Sequence, residues 1–344
     1  MNHVANRPHR TLRTGAALAA AGAVDPGRIA EIDRVAERYS VAITPALLDL
    51  IDSANPTDPI ARQFVPNPAE LETAPGEQPD PIGDLTHAPV NGIVHRYPDR
   101  VLLTPLLTCP VYCRYCFRRE RVGQEKALSE TELSVALDYV RAHDEIWEVI
   151  LTGGDPLMLS PARIAAIVAA LNAIPHVRII RIHSRVPVAD PARVTPELLA
   201  ALDGDKPVWM AVHCNHAREL SPDARVACLR LAKSGIPLLG QTVLLKGVND
   251  DAETMEALMR AMVESRIKPY YLHHLDAAPG TGHFRTSISE GQALMRGLRG
   301  RVSGLCQPDY VLDIPGGHGK APIGPVYLHG DEVEDWQGER HEVR

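Results

Sequence analysis

The sequence predicts an α/β fold, a partial (β/α)6 barrel preceded by an N-terminal helical extension. Three observations lead there. From Val101 onward, short β-branched runs alternate with amphipathic segments about every 30 residues, the rhythm of βα units around a parallel sheet. Before about residue 95 that rhythm is absent. Nearly every chemically informative motif also falls where a βα unit ends its strand, the end of such barrels that carries chemistry.

The chain therefore divides into residues 1–95, a helical extension and linker; 96–306, the partial barrel; and 307–344, a C-terminal segment with a lysine-bearing glycine loop. In the extension, helical patterns at Gly15 to Val24, Pro26 to Tyr39 and Thr44 to Asp52 give way to a Pro-rich, acidic connection. Arg7, Arg10 and Arg13 before an apolar stretch superficially resemble a signal peptide. That stretch is mostly alanine, however, and Asp25-Pro-Gly-Arg28 leads straight into another helix, so a short helix of a cytoplasmic protein is expected. The strand candidates are Val101 to Leu107, Glu148 to Thr152, Val177 to His183, Val208 to His213, Leu238 to Leu245 and Pro269 to Leu275. The helices between them open on capping residues: Ser129, Ser160, Thr195, Ser221 and Asp250 or Asp251.

Composition narrows the class. The 344 residues are 45% hydrophobic and 23% charged, which argues against wholesale disorder. A net charge of -7 argues against a nucleic-acid partner, because such domains carry a basic surface. No apolar run approaches the roughly 20 residues that span a bilayer. Of the 36 Lys and Arg residues only six are lysine, so candidates for lysine chemistry are few.

Cys109, Cys113 and Cys116 lie in Thr108-Cys-Pro-Val-Tyr-Cys-Arg-Tyr-Cys-Phe-Arg-Arg119, directly after the first strand candidate. Three thiolates at C-x-x-x-C-x-x-C spacing suit a four-iron cluster with one iron left open for a ligand, the spacing of radical S-adenosylmethionine enzymes. A zinc site completed by a distant His or Cys is the alternative, although no second ligand pair has zinc-like spacing. A disulfide framework fits poorly, because six cysteines are sparse for this length. After the second strand comes Thr152-Gly-Gly-Asp-Pro156, where backbone can approach a ligand closely; alone it is equally a plain turn. Near the end, Asp313-Ile-Pro-Gly-Gly-His-Gly-Lys320 lacks the Ser or Thr and the helix of a phosphate loop. Its lysine can instead reach into a barrel mouth and form a Schiff base with an aldehyde cofactor, or it can be a solvated loop residue. Lys126, Lys206, Lys233 and Lys268 read as loop or polar helix-face residues, and Lys246 as a strand-end turn.

Taken in order, these motifs resemble the lysine 2,3-aminomutases, radical S-adenosylmethionine enzymes that also use pyridoxal 5'-phosphate. The resemblance covers almost the whole chain and includes Asn55-Pro-Thr-Asp-Pro-Ile60, His95-Arg-Tyr-Pro-Asp-Arg100, Arg181-Ile-His-Ser-Arg-Val-Pro187, Gly240-Gln-Thr-Val-Leu-Leu-Lys-Gly-Val-Asn-Asp250 and His283-Phe-Arg-Thr286. It implies a 4Fe-4S cluster on Cys109, Cys113 and Cys116, with S-adenosyl-L-methionine lying along Thr152, Gly153, Gly154 and Asp155. It implies that Lys320 carries pyridoxal phosphate, that Arg96, Tyr97 and Arg100 hold its phosphate, and that Gln241 is a further polar contact. Arg118 matches the family's clamp on the substrate carboxylate, and Asp276 and Asp313 match the carboxylates that grip the distal ammonium of lysine.

The implied reaction is an isomerisation, a radical shift of the amino group of L-lysine from C2 to C3. A reductant such as flavodoxin or ferredoxin and a homo-oligomeric state follow by the same resemblance. Longer family members carry a cysteine-bearing tail that binds zinc. No cysteine follows Lys320 here, so a structural zinc is not expected. Phe117 matches a shorter branch that makes β-lysine for elongation factor P, whereas the Lys320 loop matches the free-lysine enzymes. Arginine as substrate and a non-catalytic iron-sulfur or zinc module remain the competing readings.

Overall fold

Nine strands pair in sequence order into one sheet: β1 (Ile93–Tyr97), β2 (Arg100–Leu106), β3 (Glu148–Gly153), β4 (Ile179–Ser184), β5 (Val208–His213), β6 (Leu238–Val243), β7 (Ile267–His273), β8 (Asp309–Asp313) and β9 (Lys320–Pro322). The computed structural model describes residues 10–124 and 127–343; Arg7 and Lys126 lie outside them. Strands β2 to β8 run parallel, each beside the next. Strand β1 is antiparallel to β2, and β9 to β8. The sheet thus curls into a half-barrel with a hairpin at either edge.

The interior is built by simple patterning. In β2 and β4 alternate residues are buried, while β3 is buried almost throughout, as a strand covered on both faces must be. Amphipathic helices at Glu130–Ala142, Pro161–Asn172, Pro196–Ala201, Pro222–Lys233, Ala252–Glu264 and Ile288–Leu298 cover the outside, and their apolar faces join the strand residues in one core. Ser129, Ser160, Thr195, Ser221 and Asp251 cap these helices by accepting backbone N–H groups, as the sequence predicts.

All six predicted strands form. The prediction did not include the edge hairpins or the seventh parallel strand β8, whose short apolar run is bounded by Pro308 and Pro315. One assignment needs correcting. Strand β7 begins two residues earlier than expected and takes in Lys268, whose Nζ donates to the Pro269 and Gln307 carbonyls. That places Lys268 at the N-terminal end of its strand, opposite the functional mouth.

The extension forms short helices at Gly15–Ala20, Ile29–Ala36, Pro45–Leu48 and Pro59–Phe64 around a second, smaller core. Val111, from between the cysteines, is buried in that core. The extension therefore packs directly behind the cysteine loop. At the other terminus, β10 (Leu328–His329), β11 (Glu332–Glu334) and β12 (Arg340–Glu342) make a small antiparallel sheet. No helix among the described residues is long and apolar enough to cross a membrane.

Candidate active site

Every site residue named from the sequence lines one cavity of about 790 Å³, which runs through the half-barrel from the first residues of β2, β3 and β4 to the loops at the C-terminal ends of the parallel strands. The cavity has a cysteine end, a lysine end and a wall of polar side chains between them.

At the cysteine end, the chain leaves β2 and turns through Cys109, Cys113 and Cys116, all unbonded and half-buried. Burial pushes the Cys109 thiol well up, with Asp155 and the two other thiols adding to it; burial and Cys113 push Cys116 up to about 11. Three thiols that oppose one another's ionisation are a set suited to a cationic centre. Among the described residues, the one His, Cys, Asp or Glu trio with ligand atoms all within 4.8 Å of one another is Asp335, Glu339 and His341. At least one pair of the cysteine sulfurs is therefore wider than that, whereas one tetrahedral zinc at ~2.3 Å needs sulfurs only about 4 Å apart.

The glycine turn after β3 is shaped by this loop. Gly153 has φ +110, and a Cβ on Gly154 would stand 2.5 Å from the Thr108 nitrogen. The Gly154 N–H donates to the Leu106 carbonyl, and that of Asp155 to the Thr108 carbonyl. Only glycine lets the two loops meet so closely. Thr152 and Asp155 are buried. The Asp155 carboxylate accepts from the Leu157, Arg185 and Val186 backbone amides and from the Ser184 hydroxyl, so it ties the β3 turn to the end of β4. Burial nevertheless outweighs these bonds and raises its carboxyl.

The lysine end is the β8–β9 hairpin. Asp313 and Lys320 are direct cross-strand partners, and Lys320 Nζ lies 2.6 Å from both Asp313 oxygens. The Lys320 backbone N–H donates to the Tyr97 hydroxyl at 2.6 Å, and the Arg100 guanidinium lies 3.8 Å from the Tyr97 ring centre. Burial alone would raise Asp313, but the hydrogen bond from His273 and the Lys320 charge hold it down at about 2. Asp276, on the loop after β7, goes the other way. Burial and then Asp313 push it up to about 8. The two carboxyls thus have opposed shifts, one held down by a neighbouring cation and the other raised by burial beside it.

Between the ends, Arg118 donates through Nε and Nη2 to one oxygen of Asp84 at 2.9 and 2.7 Å. Arg96 Nη2 donates to the other Asp84 oxygen at 3.0 Å and to the Ile82 carbonyl at 2.7 Å. Its Nη1 is 3.8 Å from Asp313, while its buried Nε has no partner. The Arg96 group is thus paired with two carboxylates while its Nε keeps an unused donor. Gln241 pairs in register with His213 on β5.

Sequence reasoning missed several wall residues. Asp84 lies in the Pro-rich connection and carries no motif. His183, His213 and His273, from the ends of β4, β5 and β7, line the cavity, and each has a buried Nε2 without a partner. Burial lowers all three, His213 to about 3, so the imidazoles are neutral. Their regular position near strand ends was the available signal. Also missed was a buried network behind the cysteines, in which Glu70 accepts from Arg114 at 2.6 to 3.0 Å and from Arg119. Arg114 further donates to the Ser40 carbonyl, and Arg119 to the Gly280 carbonyl. The extension thereby joins the cysteine loop to the Asp276 loop.

A half-barrel with three cysteines on the loop after its first parallel strand and a glycine turn after the second defines a radical S-adenosylmethionine enzyme. Residues 103–259 match the model of the Radical SAM superfamily. More narrowly, the chain belongs to the lysine 2,3-aminomutase family, whose members are isomerases. It is 43% identical over 298 residues to L-lysine 2,3-aminomutase of Acetoanaerobium sticklandii, covering 86% of this chain and 72% of that one. L-lysine 2,3-aminomutase of Escherichia coli is 37% identical over 286 residues, 83% of each chain. Glutamate 2,3-aminomutase of Clostridioides difficile is 38% identical over 298 residues, 86% of this chain and 70% of that one. Membership of the superfamily implies a 4Fe-4S cluster and S-adenosylmethionine, and the thiol set described above suits the cluster.

Proposed function

We propose that this enzyme moves the amino group of L-lysine from C2 to C3 to give β-lysine, with pyridoxal 5'-phosphate anchored at Lys320. The observation that carries this reading is the pair Asp276 and Asp313 in the cavity that also holds Arg118. A glutamate side chain would bring a third carboxylate to two that already oppose each other, whereas a distal ammonium relieves them. Lysine is thereby favoured over glutamate.

When bound, the cluster with S-adenosylmethionine supplies one-electron chemistry and pyridoxal phosphate supplies a carrier for the migrating amine. The chain's own residues do the placing. Arg118 takes the substrate carboxylate in a charge-assisted fork. Asp313 holds Lys320 Nζ at the mouth until the lysine is engaged, and is then free for the distal ammonium. Asp276, near its titration point, gives up its proton as that ammonium arrives. Tyr97, Arg100 and the leftover Nε of Arg96 are the donors available to the cofactor phosphate, and Gln241 is a polar contact beside them. Thr152, Gly153 and Gly154 border the S-adenosylmethionine position, with Asp155 fixing the turn. Fixing both ends of a flexible substrate sets which C–H faces the radical source. A small one-electron protein such as flavodoxin or ferredoxin as reductant, a homo-oligomeric state and a cytoplasmic location complete the reading. The division at residues 95 and 306 completes it too, with β1 straddling the first boundary and β8 and β9 extending the barrel sheet past the second.

The test is anaerobic: protein with reconstituted cluster is incubated with lysine, S-adenosylmethionine, pyridoxal phosphate and reductant, and α- and β-lysine are separated. Glutamate and arginine run in parallel. Formation of β-lysine is expected; a fully loaded protein that turns over glutamate or arginine and leaves lysine unchanged would overturn the assignment.

A further inference from the structure

We infer that Asp84 is a positioning residue for the substrate carboxylate, acting through Arg118; the inference rests on the lysine reading above. Asp84 is 4% exposed and sits in the cavity wall between two guanidiniums. Arg118 offers it the Nε/Nη2 edge, with both donors on the single oxygen Oδ2. An arginine has two forks, the Nε/Nη2 edge and the Nη1/Nη2 end. With its edge engaged, Arg118 presents only the end fork to a ligand, in one orientation.

The position of Asp84 is itself over-determined. Its backbone N–H and that of Leu85 donate to the Asp80 carboxylate, at 2.8 and 2.9 Å. Arg96 holds its second oxygen and anchors to the Ile82 carbonyl. The strap packs on the lysine loop: His87 Nε2 lies 3.0 Å from the Gly317 carbonyl oxygen, and a Cβ on Gly83 would stand 2.5 Å from the Gly317 nitrogen. Residues 80–87 thus carry a carboxylate whose place is referenced to the loop bearing Lys320. Through Arg118, Asp84 sets where the substrate carboxylate lies relative to the amine being moved. Its weight falls on that end, because Arg96 keeps other partners without it, whereas Asp84 is the hydrogen-bond partner of the Arg118 side chain among the described residues.

The experiment uses cofactor-loaded protein and follows binding through the pyridoxal absorbance. D84N is compared with wild type for L-lysine and for 1,5-diaminopentane, which has both amines and no carboxylate. Lysine binding is expected to weaken about 10- to 100-fold, with diaminopentane binding, iron content and S-adenosylmethionine binding unchanged. Lysine bound by D84N as well as or more tightly than by wild type, as it would be if Asp84 merely competed with the substrate carboxylate, overturns the proposal. So does an equal loss for diaminopentane. Should D84N alone not fold, R118Q is compared with R118Q/D84N, in which the two charges are removed together. Equal lysine affinity in that pair is expected, and a further loss in the double variant refutes action through Arg118. Wild-type protein that fails to bind lysine but binds another amino acid instead refutes the substrate reading and Asp84's role with it.

Discussion

Replacing Asp276 by Asn should stabilise the cofactor-free protein, by an amount that grows with pH. Burial and the Asp313 charge lift Asp276 from 3.8 to about 8. Between those values the folded protein keeps this proton and the unfolded chain has lost it. The folded state then binds more protons, so stability falls as pH rises through that window and levels off above the folded value. Each unit is worth about 1.4 kcal/mol. The full interval sets a ceiling of roughly 6 kcal/mol, about 4 kcal/mol of it expressed by pH 7. Asparagine keeps the shape and does not titrate. Urea unfolding of wild type and D276N at about pH 5, 6 and 7 should show the variant's advantage widening by about 1.4 kcal/mol per unit. A difference that stays flat with pH, or a wild type that gains on the variant as pH rises, would refute the assignment of a buried, protonated Asp276. The same substitution should abolish lysine turnover, so the site is built at the expense of stability.

Other expectations follow from the same geometry. The preference for lysine over 2-aminohexanoate, which lacks the distal amine, should rise about tenfold per pH unit up to about pH 8 and then flatten, as Asp276 no longer has a proton to release; equilibrium binding across that range measures it. G154A should push the Cys109 loop away from the β3 turn, and iron content after reconstitution should fall several-fold relative to wild type. E70Q removes the carboxylate shared by two buried guanidiniums and should cost about 3 kcal/mol or more in urea unfolding. K320A should eliminate borohydride-trapped pyridoxal while leaving iron content intact, and pyridoxal still trapped in that variant would point to another lysine.

The half-barrel was legible because its information is local. Alternating β-branched runs, caps such as Ser129 with Glu132, and glycines after strands each report on a few neighbouring residues. The cysteines and Lys320 stood out because such residues are rare in this chain, and they line the cavity. Asp84, Glu70 and His273 did not stand out, for the opposite reason. An acid in a Pro-rich connection looks solvated until the chain carries it against an arginine some 30 or more residues away, and Glu70 has two such partners, Arg114 and Arg119. Strand β8 escaped notice because a five-residue run between prolines gives little periodicity to read. It becomes a strand because β7 offers it an edge.

The cross-strand pairing of Asp313 with Lys320 has a consequence for how this enzyme could change its substrate. On the proposed reading, the amine that would anchor the cofactor and a carboxylate that would receive the distal charge are seven residues apart on one hairpin, in fixed register. The ruler for side-chain length is therefore written into a single turn. A variant accepting a shorter diamino acid would need its second carboxylate supplied from another strand, because sliding this hairpin would move the cofactor along with the ruler.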